Sequence, residues 1–310
     1  MTTAGYKALR EGAAVLDLAG RGKIRALGAD RVRLLHAMTT NHVEQLKPGQ
    51  GCYTFFLNAQ GRILADANIL AMPDHLLLDT EAATRERLYQ HLDKYIIADD
   101  VTLEDATESA ATVGLEGPGA LAIMEQIGSP MPDAPYATRI WGSRTVARLN
   151  AAGGEGFWFF LPREKCDALV SELIAAGAVE ASHGDLLAVR LEQGKPRYGD
   201  DFSDAHLPQE TQLMHAVHFN KGCYLGQEIV ERIRSRGNVH RLLVRVGIEG
   251  AVVPARGTKL ASGDKEAGEI MSAAFSPARG CVVAFAYVRG EFLRSRVALM
   301  AGEAPAKLIQ

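Results

Sequence analysis

The sequence predicts an α+β chain that finishes in an all-strand module. Its first two-thirds alternates helical and strand-like stretches, whereas from His240 onward short strands separated by tight turns take over. The Gly- and Pro-rich residues 128–135 read as an internal linker, with one round of strands and helices on either side. At 310 residues the chain is long enough for two or three domains.

Residues 3–14 read as a helix, and 15–18 and 23–27 as strands. A helix follows over 30–38, with Val32, Leu34 and Leu35 apolar. Strands over 52–57 and 63–71 are joined by Asn58-Ala59-Gln60-Gly61, a hairpin signal. Met72-Pro73-Asp74 turns the chain into a strand over 75–79. The helix over 81–95 carries Leu88, Leu92 and Tyr95 on one face. Strands over 101–104 and 111–115 lead to a helix whose first turn holds Pro118. Beyond the linker lie strands over 140–149 and 157–161, then a helix over 163–176 stopped by Gly177. The helix over 185–193 is entered through Ser182-His183-Gly184-Asp185, a capping-box pattern. Strands over 242–248, 258–261, 268–272, 281–288 and 296–300 make a small barrel or sandwich. The domain boundary falls at 238/239, dividing a mixed region, 1–238, from the strand module, 239–310.

Hydrophobic content of 47% and charged content of 23% are those of a globular protein. The net charge of −3 gives no support to nucleic-acid partners, and direct nucleic-acid binding is not expected. The first residues lack the apolar core of a signal peptide, and no apolar run approaches the roughly 20 residues of a membrane helix. A cytoplasmic protein with no membrane partner is expected. Cys52, Cys166, Cys223 and Cys281 lie far apart, without zinc-type spacing. His215 and His218 are three apart, with His206 before them, but no third ligand follows at regular spacing. No metal is expected.

The most informative stretch is Lys221-Gly222-Cys223-Tyr224-Leu225-Gly226-Gln227-Glu228. A free thiol ionises near pH ~8.5, and an ammonium beside it favours the thiolate. The glycines let other groups approach. Cys223 and Lys221 therefore read as a reactive pair. A second constellation, Arg190-Leu191-Glu192-Gln193-Gly194-Lys195-Pro196-Arg197-Tyr198-Gly199, sits at a helix end. Arg190 and Lys195 suit the negative end of the helix dipole, and Glu192 does not. A carboxylate there can hold a flat heterocycle with adjacent N–H donors, such as the 2-amino-4-oxo edge of a pterin. Asp66 stands at the fourth position of the strand over 63–71, where aspartate is depleted, so it faces a cavity or marks a bulge. Arg232, Arg234, Arg236 and Arg241 form a basic stretch suited to an anionic tail or a partner nucleic acid, or to a solvated edge. No dinucleotide fingerprint, P-loop or serine-hydrolase elbow is present.

The Lys221–Glu228 octapeptide resembles the signature of the YgfZ folate-binding proteins, relatives of the glycine-cleavage T-protein aminomethyltransferases. Gly28-Ala29-Asp30, Thr39-Thr40-Asn41, Gly49-Gln50-Gly51, Leu57-Asn58-Ala59-Gln60-Gly61-Arg62, Arg190-Leu191-Glu192-Gln193-Gly194, Leu207-Pro208-Gln209-Glu210 and Ser276-Pro277 follow in family order. The resemblance implies ferredoxin-like subdomains around a central folate channel, plus a C-terminal antiparallel β-barrel. It implies tetrahydrofolate or a one-carbon derivative as cofactor, with Glu192 on the pterin and Arg190, Asp66, Tyr198 and Arg232 as further folate contacts. Cys223, Lys221 and Asp66 become the candidate catalytic groups. The implied role is assistance to iron–sulfur cluster assembly or repair, with iron–sulfur enzymes, tRNA-modifying ones included, or assembly proteins as partners. The alternative is aminomethyl transfer of T-protein type. T-proteins carry two consecutive acids where this chain has Ala65-Asp66, which counts against transfer.

Overall fold

The computed structural model describes residues 2–237, 239–295 and 298–309, with the Arg236 side chain outside that set. The chain opens with helix α1 (Ala4–Glu11) and strand β1 (Ala14–Asp17). It continues through β2 (Gly22–Leu27), α2 (Arg31–Met38), β3 (Gly51–Leu57), β4 (Ile63–Ala71), β5 (Leu76–Thr80), α3 (Arg85–Asp93) and β6 (Thr102–Asp105). These strands form an antiparallel sheet in the order β3-β4-β5-β2-β6. Side chains alternate along a strand, so each face can have its own chemistry. One face carries Ile24, Phe56, Ala67, Ile69 and Leu78 against Leu35 of α2 and Leu88 and Leu92 of α3. The other carries the cross-strand row Tyr53, Asn68 and Asp79, with Asp66 two residues before Asn68.

The second unit runs β7 (Ala110–Glu116), α4 (Ala120–Gln126), β8 (Thr138–Trp141), β9 (Arg144–Ala147), β10 (Gly156–Pro162), α5 (Cys166–Ala175) and β11 (Val179–Glu180). Its sheet order is β11-β1-β7-β10-β9-β8, with β1 inserted parallel to β11 and antiparallel to β7. Val113, Phe157 and Phe159 pack with Met124 of α4 and Leu169 and Leu173 of α5. Setting aside inserted β1 and edge strands β3 and β8, both sheets have the strand–helix–strand–strand–helix–strand plan of a ferredoxin-like unit.

Two expectations need correction. Residues 128–135 join α4 to β8 within the second unit, and the chain crosses between sheets at residues 106–109. Gly and Pro mark where regular structure stops, inside a unit as readily as between units. The single strand expected over 140–149 is a hairpin, β8/β9, turned at Gly142 with φ 59°.

Helix α6 (His183–Gln193) leaves the second sheet. Ser182 and Asp185 cap it reciprocally, and Gly194 ends it with φ 75°. Helices α7 (Pro208–Thr211) and α8 (Gln227–Arg236) follow. Then come β12 (Arg241–Ile248), β13 (Lys259–Ser262), β14 (Lys265–Ser276), β15 (Cys281–Arg289), α9 (Gly290–Ser295), β16 (Leu299–Ala301) and β17 (Ala304–Ile309). The six strands close into a barrel, in the order β12-β15-β14-β13-β16-β17 with β17 returning to β12. Closure excludes the sandwich. The strand expected over 296–300 begins on Arg296 and Val297, which lie outside the described residues. Along β15, Val282, Ala284, Ala286 and Val288 fill the barrel, while Val283, Phe285 and Tyr287 pack outward with Leu191 of α6.

Arg190 fixes the join between α6 and the barrel. Its guanidinium bonds Asp201, Asp200 at 3.1 Å and the Lys195 carbonyl at 3.1 Å, while Asp201 also accepts from the Arg197 N–H at 2.8 Å and from Ser272 of β14. Arg190→Met should leave the Asp201 carboxylate buried without its cation and lower stability by about 3–5 kcal/mol. Urea unfolding measures this, and a loss below about 1 kcal/mol would show that the join is held otherwise.

Candidate functional site

A cavity of about 460 Å³ lies between the polar face of the first sheet, Trp158 of β10 and α6. That volume is within the range of small-molecule sites. Tyr53 and Trp158 give it flat walls, and the His215 ring stacks on Tyr53 with centroids 5.5 Å apart.

Most charge on the walls is paired. Arg21, in the turn between β1 and β2, bonds Asp79 of β5 through Nε at 2.9 Å and Nη2 at 2.9 Å, and Glu81 through Nη1 at 2.5 Å. Its guanidinium lies over the Trp158 ring, 5.0 Å from the centroid. Glu81 also accepts from Arg197 at 2.7 Å. Burial works against the Glu81 charge, yet Arg21 and Arg197 outweigh it and hold the carboxyl down at about 2. Glu116, fully buried, accepts from the Trp158 indole at 2.8 Å and the Ala151 and Ala152 N–H groups at 2.7 and 2.8 Å. It fixes one aromatic wall and the loop beside it.

Two groups are left over. Asp66 accepts the Tyr53 hydroxyl on Oδ2 at 2.7 Å, while its buried Oδ1 has no partner among the described residues. Burial, with repulsion from Glu81, pushes its carboxyl up to about 6. The Lys195 side chain, also lining the cavity, makes no hydrogen bond or ion pair among the described residues. Burial lowers its pKa, and Glu116 and Asp66 oppose that. The cavity thus offers one free carboxylate oxygen, one free ammonium and aromatic surface, the requirements of a flat polar heterocycle.

Of the residues singled out by sequence, Asp66 and Arg190 line this cavity; Glu192, Tyr198, Lys221, Cys223 and Arg232 do not. The Arg190 fork is already filled by Asp200 and Asp201. Glu192 is two residues along α6, which puts it on another side of the helix. It is buried, accepting from Tyr6 at 2.7 Å and Ser276 at 2.5 Å, with Arg10 at 3.3 Å. That arrangement ties α1, α6 and the barrel together; Glu192 does not line the cavity, and its buried Oε2, beside Arg10, has no hydrogen-bond partner among the described residues. The Tyr198 hydroxyl donates to the Leu64 carbonyl at 2.9 Å.

The lysine–thiol pair is also corrected. Lys221 turns inward, and its ammonium donates to the carbonyls of His36, Thr39 and Asn41 at 2.5, 2.6 and 2.8 Å. Those carbonyls occupy the end of α2 and the loop after it, so the charge serves backbone rather than sulfur. Cys223 is exposed on the loop before α8. Arg232 is exposed on α8, Arg234 pairs with Glu231 at 3.5 Å, and Arg241 pairs with Glu210 at 2.9 Å. Sequence reasoning missed Arg21, Glu81 and Tyr53, and weighed His215 only as a metal ligand. The available signal was Asp66 and Asn68 two apart in β4, with Asp79 directly after three leucines in β5.

Comparison with known proteins agrees with this architecture. Residues 1–221 match the GCVT N-terminal domain family, and residues 241–309 the glycine cleavage T-protein C-terminal barrel domain. An aminomethyltransferase of Rubrobacter xylanophilus is 30% identical over 293 residues, covering 92% of this chain and 78% of that protein. One from Chlorobium chlorochromatii is 29% identical, covering 88% and 78%. The crystal structure of glycine cleavage system aminomethyltransferase T from Bartonella henselae superposes with a TM-score of 0.90 at 20% identity, covering 99% of this chain and 87% of that one. No helix among the described residues is long and apolar enough to cross a membrane.

Because the folded Asp66 carboxyl holds its proton up to about pH 6, against 3.8 ordinarily, its contribution to stability is full below pH ~4 and lost as pH rises through about 6. Asp66→Asn should flatten that slope and raise stability near pH ~7.5 by on the order of 2 kcal/mol, read by denaturant titration. An unchanged pH profile would refute the shift. Lys221→Met, which orphans three carbonyls, should cost about 2–4 kcal/mol, whereas Cys223→Ala at an exposed position should cost less than about 0.5 kcal/mol. Equal losses in the two variants would contradict the clamp.

Proposed function

This chain belongs to the glycine cleavage T-protein family, and on that premise we propose that it binds tetrahydrofolate, or a one-carbon derivative, and assists iron–sulfur cluster assembly or repair in the manner of the YgfZ proteins. The observation that carries the folate part is Asp66 Oδ1, a buried acceptor without a donor among the described residues, in a cavity walled by Tyr53 and Trp158. A pterin supplies what is absent: N–H donors on a flat ring. Lys195 supplies a cation for an oxygen of the ring or of the anionic tail. The iron–sulfur part is supported by Cys223, exposed within the Lys221–Glu228 motif and available to a partner protein. Clients would be iron–sulfur enzymes, tRNA-modifying ones included.

A second reading, folate-dependent aminomethyl transfer, has one structural observation in its favour. Ala65 is fully buried in the core of the first unit, because neighbours on a strand face opposite sides. An acid at position 65 would not share the cavity with Asp66. The departure from the two-acid pattern therefore removes nothing from the cavity, and Asp66 remains placed to hold a proton.

Calorimetric titration with tetrahydrofolate tests the folate part. Asp66→Ala should weaken binding by about tenfold or more, the worth of a charge-assisted hydrogen bond. Glu192→Ala should alter stability more than affinity. Cys223→Ala should bind as the wild type does, yet fail to restore iron–sulfur enzyme activity in cells lacking the protein. Full restoration would end the iron–sulfur reading. Release of ammonia from an aminomethyl-lipoyl carrier protein, with methylenetetrahydrofolate formed, would establish the transferase instead.

A further inference from the structure

A second cluster of chemistry-bearing side chains lies outside the cavity, where the Lys221–Glu228 loop meets the end of α2. His36 is in the last turn of α2 and is 7% exposed, and His42 and Glu44 are in the loop that follows. Each of the three offers a ligand atom, and these atoms lie within 4.8 Å of one another. His36 Nε2 is 3.7 Å from Glu44 Oε2, and the His36 and His42 rings are tilted by 57° with centroids 4.6 Å apart. His218 stands edge-on to His42, at 5.1 Å between centroids.

From this geometry we propose that His36, His42 and Glu44 bind one divalent transition-metal ion of the zinc class, leaving a coordination position open. Two imidazoles and a carboxylate at about 2.0–2.2 Å from such an ion put neighbouring ligand atoms about 3.4 Å apart. The Nε2-to-carboxylate separation already comes within a few tenths of an ångström of that. A further observation points to a ligand: Nδ1 of His42 is buried without a hydrogen-bond partner among the described residues. Such a nitrogen costs free energy unless a donor or a cation reaches it.

The Lys221 ammonium, which donates to the carbonyls of His36, Thr39 and Asn41, opposes a cation at His36, and two features offset it. Glu44 supplies one negative charge, and the C-terminal end of α2 adds partial negative charge. Without metal, His36 Nδ1 receives the Glu44 N–H at 3.5 Å, the long limit of a hydrogen bond, and Nε2 keeps its proton toward the Glu44 carboxylate. A metal at Nε2 takes the place of that proton, which moves to Nδ1, and the long Glu44 N–H contact is given up when the ion binds. A Cβ at position 222 would come 4.0 Å from Nε2, so Gly222 leaves that side open to water or a small ligand. The nitrogen–oxygen donor set selects zinc, cobalt or ferrous iron over magnesium or calcium. Nothing in this proposal depends on folate.

The test uses the full chain, stripped with a chelator and titrated with Co²⁺, then with Zn²⁺. The expected result is one Co²⁺ equivalent, with visible bands of a nitrogen–oxygen site that Zn²⁺ abolishes. His42→Ala and Glu44→Gln, both near the surface, should each weaken binding about tenfold or more, while His91→Ala on α3 should not. Circular dichroism of each variant separates loss of a ligand from loss of fold. Absence of a bound equivalent, or binding that survives the His42→Ala/Glu44→Gln double variant, overturns the proposal. So does a sulfur-to-cobalt charge-transfer band abolished by Cys223→Ser, which would assign the ion to the thiol.

Discussion

Arg21 is the group on which the central cavity depends. A guanidinium enclosed by two sheets is tolerated only if carboxylates meet it, and Asp79 and Glu81 do so from the first unit. Glu81 in turn holds Arg197, which comes from the loop after α6. The face of Arg21 rests on Trp158 of the second sheet. One chain of contacts therefore spans both ferredoxin-like units and the segment leading to the barrel. It also keeps the hollow open, because these faces present charges whose partners are already assigned. Two apolar faces would have closed on each other. Among the described residues Asp66 Oδ1 and the Lys195 ammonium are left unmatched, and a cavity that leaves polar groups unmatched is specific for whatever matches them.

Helix α6 divides two tasks between two of its faces. Arg190 points to the aspartates of the following loop, and Glu192 points to α1 and the barrel. Residues two apart on a helix lie about 200° apart around its axis, so these two meet different neighbours. The disfavoured charge at the helix end did require a partner. That partner is the rest of the protein, through Tyr6, Ser276 and Arg10.

The same distinction explains what was legible in the sequence. Local signals carried well: the capping box at Ser182, the left-handed stop at Gly194, the hairpin between β3 and β4 and the strand-only barrel module all follow from chemistry within a few residues. Asp66 was found because a carboxylate in an apolar strand violates local preference. Long-range direction did not carry. Nothing near Lys221 in sequence says that its ammonium reaches back across 180 residues to Asn41. Nothing near Gly128 says that β1 has already joined the second sheet, which places that stretch inside a unit. Arg21 and Glu81 look like ordinary surface residues until β2 and β5 pair.

The exposed thiol and the cavity are separate surfaces, but they share a scaffold. Asn41 donates to the carbonyls of Tyr53 and His215, two cavity residues, at 2.8 and 3.0 Å. Its own carbonyl is one of the three on Lys221, two residues before Cys223. Thr40 meanwhile holds the Ala216 carbonyl at 2.6 Å. A ligand contacting His215 and a partner contacting Cys223 would therefore act on neighbouring ends of one hydrogen-bonded segment. Contiguity of this kind becomes communication only if filling one site changes affinity at the other, by an amount that must be equal in both directions. A protein that reports folate state to a protein partner requires that coupling. An aminomethyltransferase that completes its chemistry inside the cavity does not.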